Sequence, residues 1–463
     1  MWYENWLKRD QILLKIFQNI LSVPPFNFIK GLLCGYIAYP IAERIEGRCV
    51  TTKLTQLKKY YNKPFNLRLK SIEDRLIHML NFAGEHVPYY QDLFKQCKFN
   101  PENIRRDIRY LNTLPYLTKD IIREQGSRML SQPLDQINYD VCKTGGSTGP
   151  SSIIYYSKEA SDYSAATTLY ARESIGKFKW RHAIHFACQF PGEKETFWPN
   201  REDYKCFAMN RSNILFGSLD DEELSKIWLV IKRRLPYMVH AHPSTIYALA
   251  CYAERNKLNK KIFDIFESSG ELLQSYMKDK IEKVFKCTII DRYGLAELGV
   301  IAYQLNKASS LMKILDSEVW PETYINDEGY SELVLTGFRN YLMPLIRYRT
   351  GDYAELKQTS DGFYLDRIIG RIHDIIEIQG STYPTHHIMD ILDHRIRDIE
   401  EFQIDLRATL PILKIVPKPL IDLDLHRKKI EAYWPNTFDI QYVNFQDLIR
   451  VGKHQKFRHV VHD

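Results

Sequence analysis

The eight cysteines (Cys34, Cys49, Cys97, Cys142, Cys188, Cys206, Cys251, Cys287) include no Cys-x-x-Cys pair. That absence argues against a disulfide framework or a structural zinc site and favours reduced thiols in a cytosolic protein. His182, His185, Cys188 and Cys206 come nearest to a zinc set, but no tight ligand pair anchors them, and buried structural roles are expected instead. No apolar run near the N-terminus reaches the ~20 residues of a bilayer span; Ile29 to Ala42 is shorter and broken by glycines. The opening Met-Trp-Tyr-Glu-Asn lacks the basic start and cleavage site of a secretion signal, so a cytoplasmic location is expected. A dominant charge of one sign is missing too: the net charge is +7 over 463 residues, with Lys and Arg spread along the chain. Without a zinc-finger or other DNA-binding signature, nucleic acid is not expected as a partner. No internal repeat or low-complexity tract is visible.

What is present is a soluble globular composition, 44% apolar and 26% charged, in a chain too long for one ordinary core. Residues 1–70 form an amphipathic, Lys-rich entry broken at Pro24-Pro25. Within it, residues 1–45 read either as a packed apolar segment or as a peripheral membrane contact helped by Lys8, Arg9, Lys15 and Lys30. Helical spacing is expected over Ser71–Leu80, Pro243–Asn256 and Glu271–Phe285, and short strands over Ala183–Cys188, Tyr237–His240 and Cys287–Asp291. The alternation argues for an α/β domain. From Arg371 a separate small set of elements begins: strands at Ile375–Ile378, Phe402–Leu406, Ile412–Val416 and Phe438–Val443, helices at Thr385–Arg397 and Leu425–Tyr433. The division is therefore 1–70 as entry to the large domain, 71–370 as its body, and 371–463 as a C-terminal domain.

Four short runs carry chemistry. Thr144-Gly145-Gly146-Ser147-Thr148-Gly149 is the one dense Gly/Ser/Thr stretch; small residues let backbone N–H groups wrap a phosphate and hydroxyls add donors. It is not a Walker loop, because no Gly-Lys-Ser/Thr follows. Asp291-Arg292-Tyr293-Gly294-Leu295-Ala296-Glu297 follows an expected strand, where a tyrosine can stack on a base and a carboxylate can hold magnesium against phosphates. Arg347-Tyr348-Arg349-Thr350-Gly351-Asp352 offers a carboxylate suited to ribose hydroxyls. Gly370-Arg371-Ile372-His373-Asp374 lies at the suspected domain boundary.

In order and spacing these runs resemble the core motifs of the adenylate-forming superfamily, which includes acyl-CoA synthetases, luciferases and peptide-synthetase adenylation domains. Tyr-Gly-Leu-Ala-Glu, the upstream Ser269-Gly270-Glu271-Leu272 and the ending Lys456-Phe457-Arg458-His459-Val460-Val461 resemble the phenylacetate–coenzyme A ligase branch linked to capsular polysaccharide genes. The resemblance implies an α/β adenylation domain of mixed sheets and helices with a small mobile α+β lid. It implies ATP and magnesium, a small carboxylic acid as substrate, and coenzyme A or an amine or hydroxyl as acceptor. By similarity, Thr144 to Gly149 would hold the β- and γ-phosphates. Gly270 with Glu271 would form one wall of the adenine slot, and Tyr293 with Gly294, next to Asp291, the other. Glu297 would coordinate magnesium, Asp352 the ribose, and Arg371 would support the nucleotide. The catalytic lysine would be Lys456, in the family's Lys-Phe-Arg ending but preceded by Gln455, or Lys453, which follows Gly452. His185, Phe186, His240 and His242 are candidates for the acid pocket.

Two departures motivate a second reading, a catalytically silent nucleotide-binding or scaffold protein. The phosphate run ends Gly149-Pro150-Ser151-Ser152 without the lysine of many relatives, and His373 takes the hinge position usually held by Asp or Lys. The oligomeric state has no signature in the sequence.

Overall fold

The computed structural model describes residues 23–24, 26–143, 152–188, 201–216, 219–307, 309–325, 331–369, 375–378, 381–384, 388, 391–444, 447–451, 456–457 and 459–461. From residue 26 to residue 125 the chain is mostly helical. The helical segment Phe26–Ile45, with a π-helical stretch at Cys34–Ala38, precedes helices Val50–Tyr61, Phe65–His86 and Pro88–Gln96. Lys30, counted above with the membrane-facing charges, is buried beside Cys34 and Arg234. The helix expected over Ser71–Leu80 is the middle of Phe65–His86, whose Ile72, Leu76, Met79 and Leu80 lie inside.

A hairpin of β1 (Tyr139–Lys143) and β2 (Ile153–Ser157) stands apart from the main sheet. That sheet is built from β3 (Ala183–Cys188), β4 (Arg211–Phe216), β5 (Met238–Ala241), β6 (Ile265–Ser268), β7 (Thr288–Leu295), β8 (Gly299–Tyr303), β9 (Met312–Ile314), β10 (Val319–Ile325), β11 (Ser331–Gly337), β12 (Tyr348–Thr359) and β13 (Gly362–Ile369). Their order is β10-β11-β12-β13-β9-β8-β7-β6-β5-β3-β4. From β4 to β6 the pairs are parallel. β7 joins two regimes: its first half pairs in parallel with β6 and its second half antiparallel with β8.

Parallel strands covered on both sides are buried along their length, and β6 is buried at every position even though Glu267 and Ser268 make up its second half. One face, with Ile184, Phe186, Val239 and Phe266, packs against helices Asp221–Arg234, Pro243–Arg255 and Ser275–Phe285. The other carries Ala183, Met238 and Ile265 toward the helix Lys158–Ser174. Asp220 caps the first of these helices through Glu223 N, and Ser157 caps the helix Lys158–Ser174 through Ala160 N, each satisfying an orphan N–H.

Beyond residue 370, β14 (Ile375–Ile378) pairs with β15 (Ser381–Pro384). A four-stranded sheet follows, made of β16 (Ile399–Asp405), β17 (Ile412–Pro417), β18 (Asp439–Tyr442) and, after the short pair β19 (Arg450–Val451) and β20 (Lys456–Phe457), β21 (Val460–Val461). With the helix Leu423–Tyr433 it encloses its own apolar cluster around Phe402, Ile415, Ile430 and Trp434. The mixed α/β class read from the sequence holds. Boundaries moved by a few residues: the helix expected from Glu271 starts at Ser275, and the strand placed over Cys287–Asp291 runs on to Leu295.

Candidate functional site

Tyr293, in the second half of β7, and Asp352, on β12, are four positions apart in the strand order. The antiparallel half of the sheet brings them together: Tyr293 Oη donates to Asp352 Oδ2 at 2.9 Å, both residues buried. Pairing of β11 with β12 shifts register between Glu332 and Val334, and this bulge re-aims the stretch that carries Asp352.

Glu297 follows β7 and is only 3% exposed, so its carboxylate needs partners from the protein or a ligand. Tyr348 Oη, also on β12, donates to its Oε1 at 2.7 Å, and Lys119 Nζ lies 3.6 Å away. Lys119 arrives there because Leu117 exchanges backbone hydrogen bonds with Arg347 and Arg349 at the start of β12. Buried Arg347 reinforces this by donating to Leu114 O and Asn112 Oδ1. Lys119 is a contact sequence reasoning missed; nearly two hundred residues separate it from Glu297, and no local pattern links them.

The run Thr144 to Gly149 lies outside the described residues. Its flanks do not: Lys143 and Ile153 are paired across the hairpin, Ser152 Oγ donates to Lys119 O at 3.2 Å, and Tyr156 Oη donates to Ala296 O. The strands bearing that run therefore meet the Glu297 and Lys119 region.

Ser269-Gly270-Glu271 leaves β6 beside β7, and Arg292 Nη1 donates to Ser269 Oγ at 3.0 Å. Gly270 has φ +85°, and a Cβ there would stand 2.3 Å from His242 Cε1, so only glycine fits the turn. Glu271 Oε2 accepts from Ser244 N at 3.2 Å, in the first turn of the helix Pro243–Arg255, as the positive end of a helix favours. Burial pushes the Asp291 carboxyl up to about 6.

The acid-pocket candidates divide. Asn213, His185, His240 and Glu267 sit side by side across β4, β3, β5 and β6. His185 and His240 stack at 5.1 Å between ring centres, and His240 Nδ1 lies 2.7 Å from Glu267 Oε2. Arg172 clamps Glu267 with Nη2 at 2.6 Å and Nε at 3.0 Å, and Tyr303 Oη donates to it as well. Burial alone would raise Glu267, yet Arg172 and His240 hold it well below the usual carboxylate range. Burial and the neighbouring His240 push His185 down to about 2. Phe186 points to the opposite face, where it meets Phe216 edge-on inside the apolar cluster. It cannot share a wall with His185, because successive strand residues face opposite ways. His242 caps no backbone group with its side chain and packs over Gly270.

Arg371, His373 and Lys453 lie outside the described residues, and Lys456 is described only as backbone, paired with Val451. Among the described residues no group of three or more His, Cys, Asp or Glu side chains is arranged to hold a metal ion.

Comparison with protein-family models gives no match. The chain is 24% identical over 342 residues to Protein CapK of Staphylococcus aureus, spanning 69% of this chain and 74% of that protein. It is 24% identical over 335 residues to phenylacetate-coenzyme A ligase of Escherichia coli (strain K12), spanning 67% and 73%. Among solved structures, 2-hydroxyisobutyryl-CoA ligase with 2-HIB-AMP and CoA in the thioesterification state matches with a TM-score of 0.53 at 18% identity, over 87% of this chain and 91% of that one. An open conformation of the same ligase matches with a TM-score of 0.52 at 18% identity, over 87% and 93%. The resemblance drawn from the motifs is thus met both in curated relatives and in fold.

Proposed function

We propose that this chain, which has the fold of acyl-CoA ligases, is an ATP-dependent adenylate-forming ligase. It activates a carboxylic acid as acyl-AMP, releases pyrophosphate, and passes the acyl group to coenzyme A or to an amine or hydroxyl acceptor. The similarity to CapK extends the proposal to surface-polysaccharide biosynthesis on the cytoplasmic side.

One observation carries the reading. Tyr293, Glu297, Lys119, Tyr348 and Asp352, drawn from three distant stretches of sequence, converge beside the strands that flank the Gly/Ser/Thr run. Attack of a carboxylate on the α-phosphate needs alignment and charge neutralisation rather than a nucleophilic side chain, and this set is built of such groups. In the proposed assignment Asp352 takes the ribose hydroxyls and Tyr293 with Gly294 faces Gly270 and Glu271 across the base. Asp291 and Arg371 support the nucleotide, and Thr144 to Gly149 hold the outer phosphates. Glu297 is a hard oxygen donor fit for a divalent cation shared with phosphate; magnesium there would neutralise triphosphate charge. The domain from 371 to 463 supplies Lys456, with Lys453 as the other candidate, and His373 serves as hinge. His185 and His240 act at the acid pocket from the floor of the sheet, with His242 at its rim.

Pyrophosphate exchange into ATP, screened across carboxylic acids, tests this. Exchange should depend on one class of acid, and Lys456→Ala should slow it roughly 10²-fold or more. Unchanged exchange after Lys456→Ala and Lys453→Ala together would remove the lysine role. ATP binding without AMP formation against every acid would favour the silent protein.

A further inference from the structure

The helical segment Phe26–Ile45 turns its small side inward. A Cβ at Gly31 would stand 1.9 Å from Trp180 O, and one at Gly35 would stand 3.0 Å from Lys179 Cβ. Two glycines one turn apart therefore let the backbone lie directly on the Phe178–Arg181 turn, where Phe28 meets Trp180 edge-on at 5.4 Å. The bulky side is left outward: Ile29 is 58% exposed, Tyr36 63% and Ile37 54%, with Leu33, Ile41 and Ile45 also exposed. A helix on a soluble protein buries its apolar stripe and shows a polar one to water; this segment does the reverse. Scattered exposed apolar residues need no explanation, but a contiguous stripe along some twenty residues, about 30 Å of helix, marks a contact surface.

The surroundings say which contact. Arg44 is exposed on the segment itself, and the helix Asp221–Arg234 ends against Lys30 with Lys232 and Arg233 exposed. Leu235 and Phe178 add exposed apolar side chains at the same end. An apolar stripe with exposed cations at its ends, where the neighbouring acids are already engaged (Glu46 by Arg201 and Glu43 by Thr51), matches the boundary between acyl chains and anionic headgroups. No helix among the described residues is long and apolar enough to cross a membrane, which leaves a helix lying in the interface. We propose that the outward face of Phe26–Ile45 seats the protein on an anionic bilayer surface. Ile29, Leu33, Tyr36, Ile37 and Ile41 enter the interfacial layer, while Arg44, Lys232 and Arg233 meet the headgroups. The proposal is independent of the nucleotide cleft.

The test is flotation of the full chain with vesicles of phosphatidylcholine alone or with a quarter phosphatidylglycerol. The chain should float with the anionic vesicles, less with the neutral ones, and less as salt rises. The variant Ile29→Ser/Tyr36→Ser/Ile37→Ser, altered only at exposed positions, should partition roughly tenfold less with an unchanged unfolding midpoint, and Lys232→Glu/Arg233→Glu should weaken binding to anionic vesicles alone. No flotation, or flotation indifferent to the triple variant, overturns the proposal; the latter would assign any anchor to residues 1–22. A dimer in sedimentation that the triple variant dissociates would show a second copy on this face and overturn it equally.

Discussion

Asp291 is half-buried where the sheet changes from parallel to antiparallel pairing, and this burial raises its carboxyl from 3.8 to about 6. The folded state thus holds this proton better than the unfolded chain, so the group's contribution to stability is lost as pH climbs from about 4 to about 6 and stays lost above. Asp291→Asn should stabilise the protein by up to about 3 kcal/mol at pH 7.5, with the difference vanishing near pH 4; urea unfolding at the two pH values reads it. A gain that persists at pH 4 would assign the effect to something other than the buried charge. Residues of this kind were partly legible. Tyr293, Glu297 and Asp352 stood out because their motifs are short and local, whereas Lys119 did not, since its role rests on a β-bridge between Leu117 and Tyr348.

Across β3, β5 and β6 the element decides what each residue becomes. Alternation sends Ile184 and Phe186 to the face covered by three helices and leaves His185 in line with His240 and Glu267 beneath the helix Lys158–Ser174. A carboxylate buried completely is tolerable only with its cation in place, and Arg172 supplies it. Glu267→Gln leaves the guanidinium of Arg172 buried without its counter-charge and should destabilise the protein by roughly 3–5 kcal/mol. Guanidinium unfolding monitored by circular dichroism measures this; a loss below 1 kcal/mol would mean the row is more hydrated than its burial implies. Strands and helices were legible because their periods are local, but their ends were not: the Ser269-Gly270 turn delays the next helix to Ser275, and the strand expected to stop at Asp291 runs on to Leu295 through its pairing with β8. The partnership of Arg172 with Glu267 was not, because strand register and helix placement create it together.

At the scale of the molecule, the apolar cluster around Phe402 and Trp434 draws only on residues 388–460, while those around Tyr348 and Phe266 draw on the preceding chain. Separate cores can unfold separately, and a ligand stabilises the unit that binds it. Magnesium-ATP at one hundred times its dissociation constant should add about 2.7 kcal/mol to the larger unit and raise its calorimetric transition by a few degrees. A shift confined to the smaller transition would move the nucleotide site out of the large sheet.

The sequence by itself determined the mixed α/β class, the order of motifs and the residue types offered to a nucleotide, because periodicity, turn chemistry and short motifs act over a few residues. Only the tertiary structure decided that Tyr293 meets Asp352, that Lys119 faces Glu297, and that Lys30 is buried while Ile29 and Tyr36 are not. Those outcomes depend on which distant surfaces pack together, and packing is a property of the whole chain rather than of any window within it.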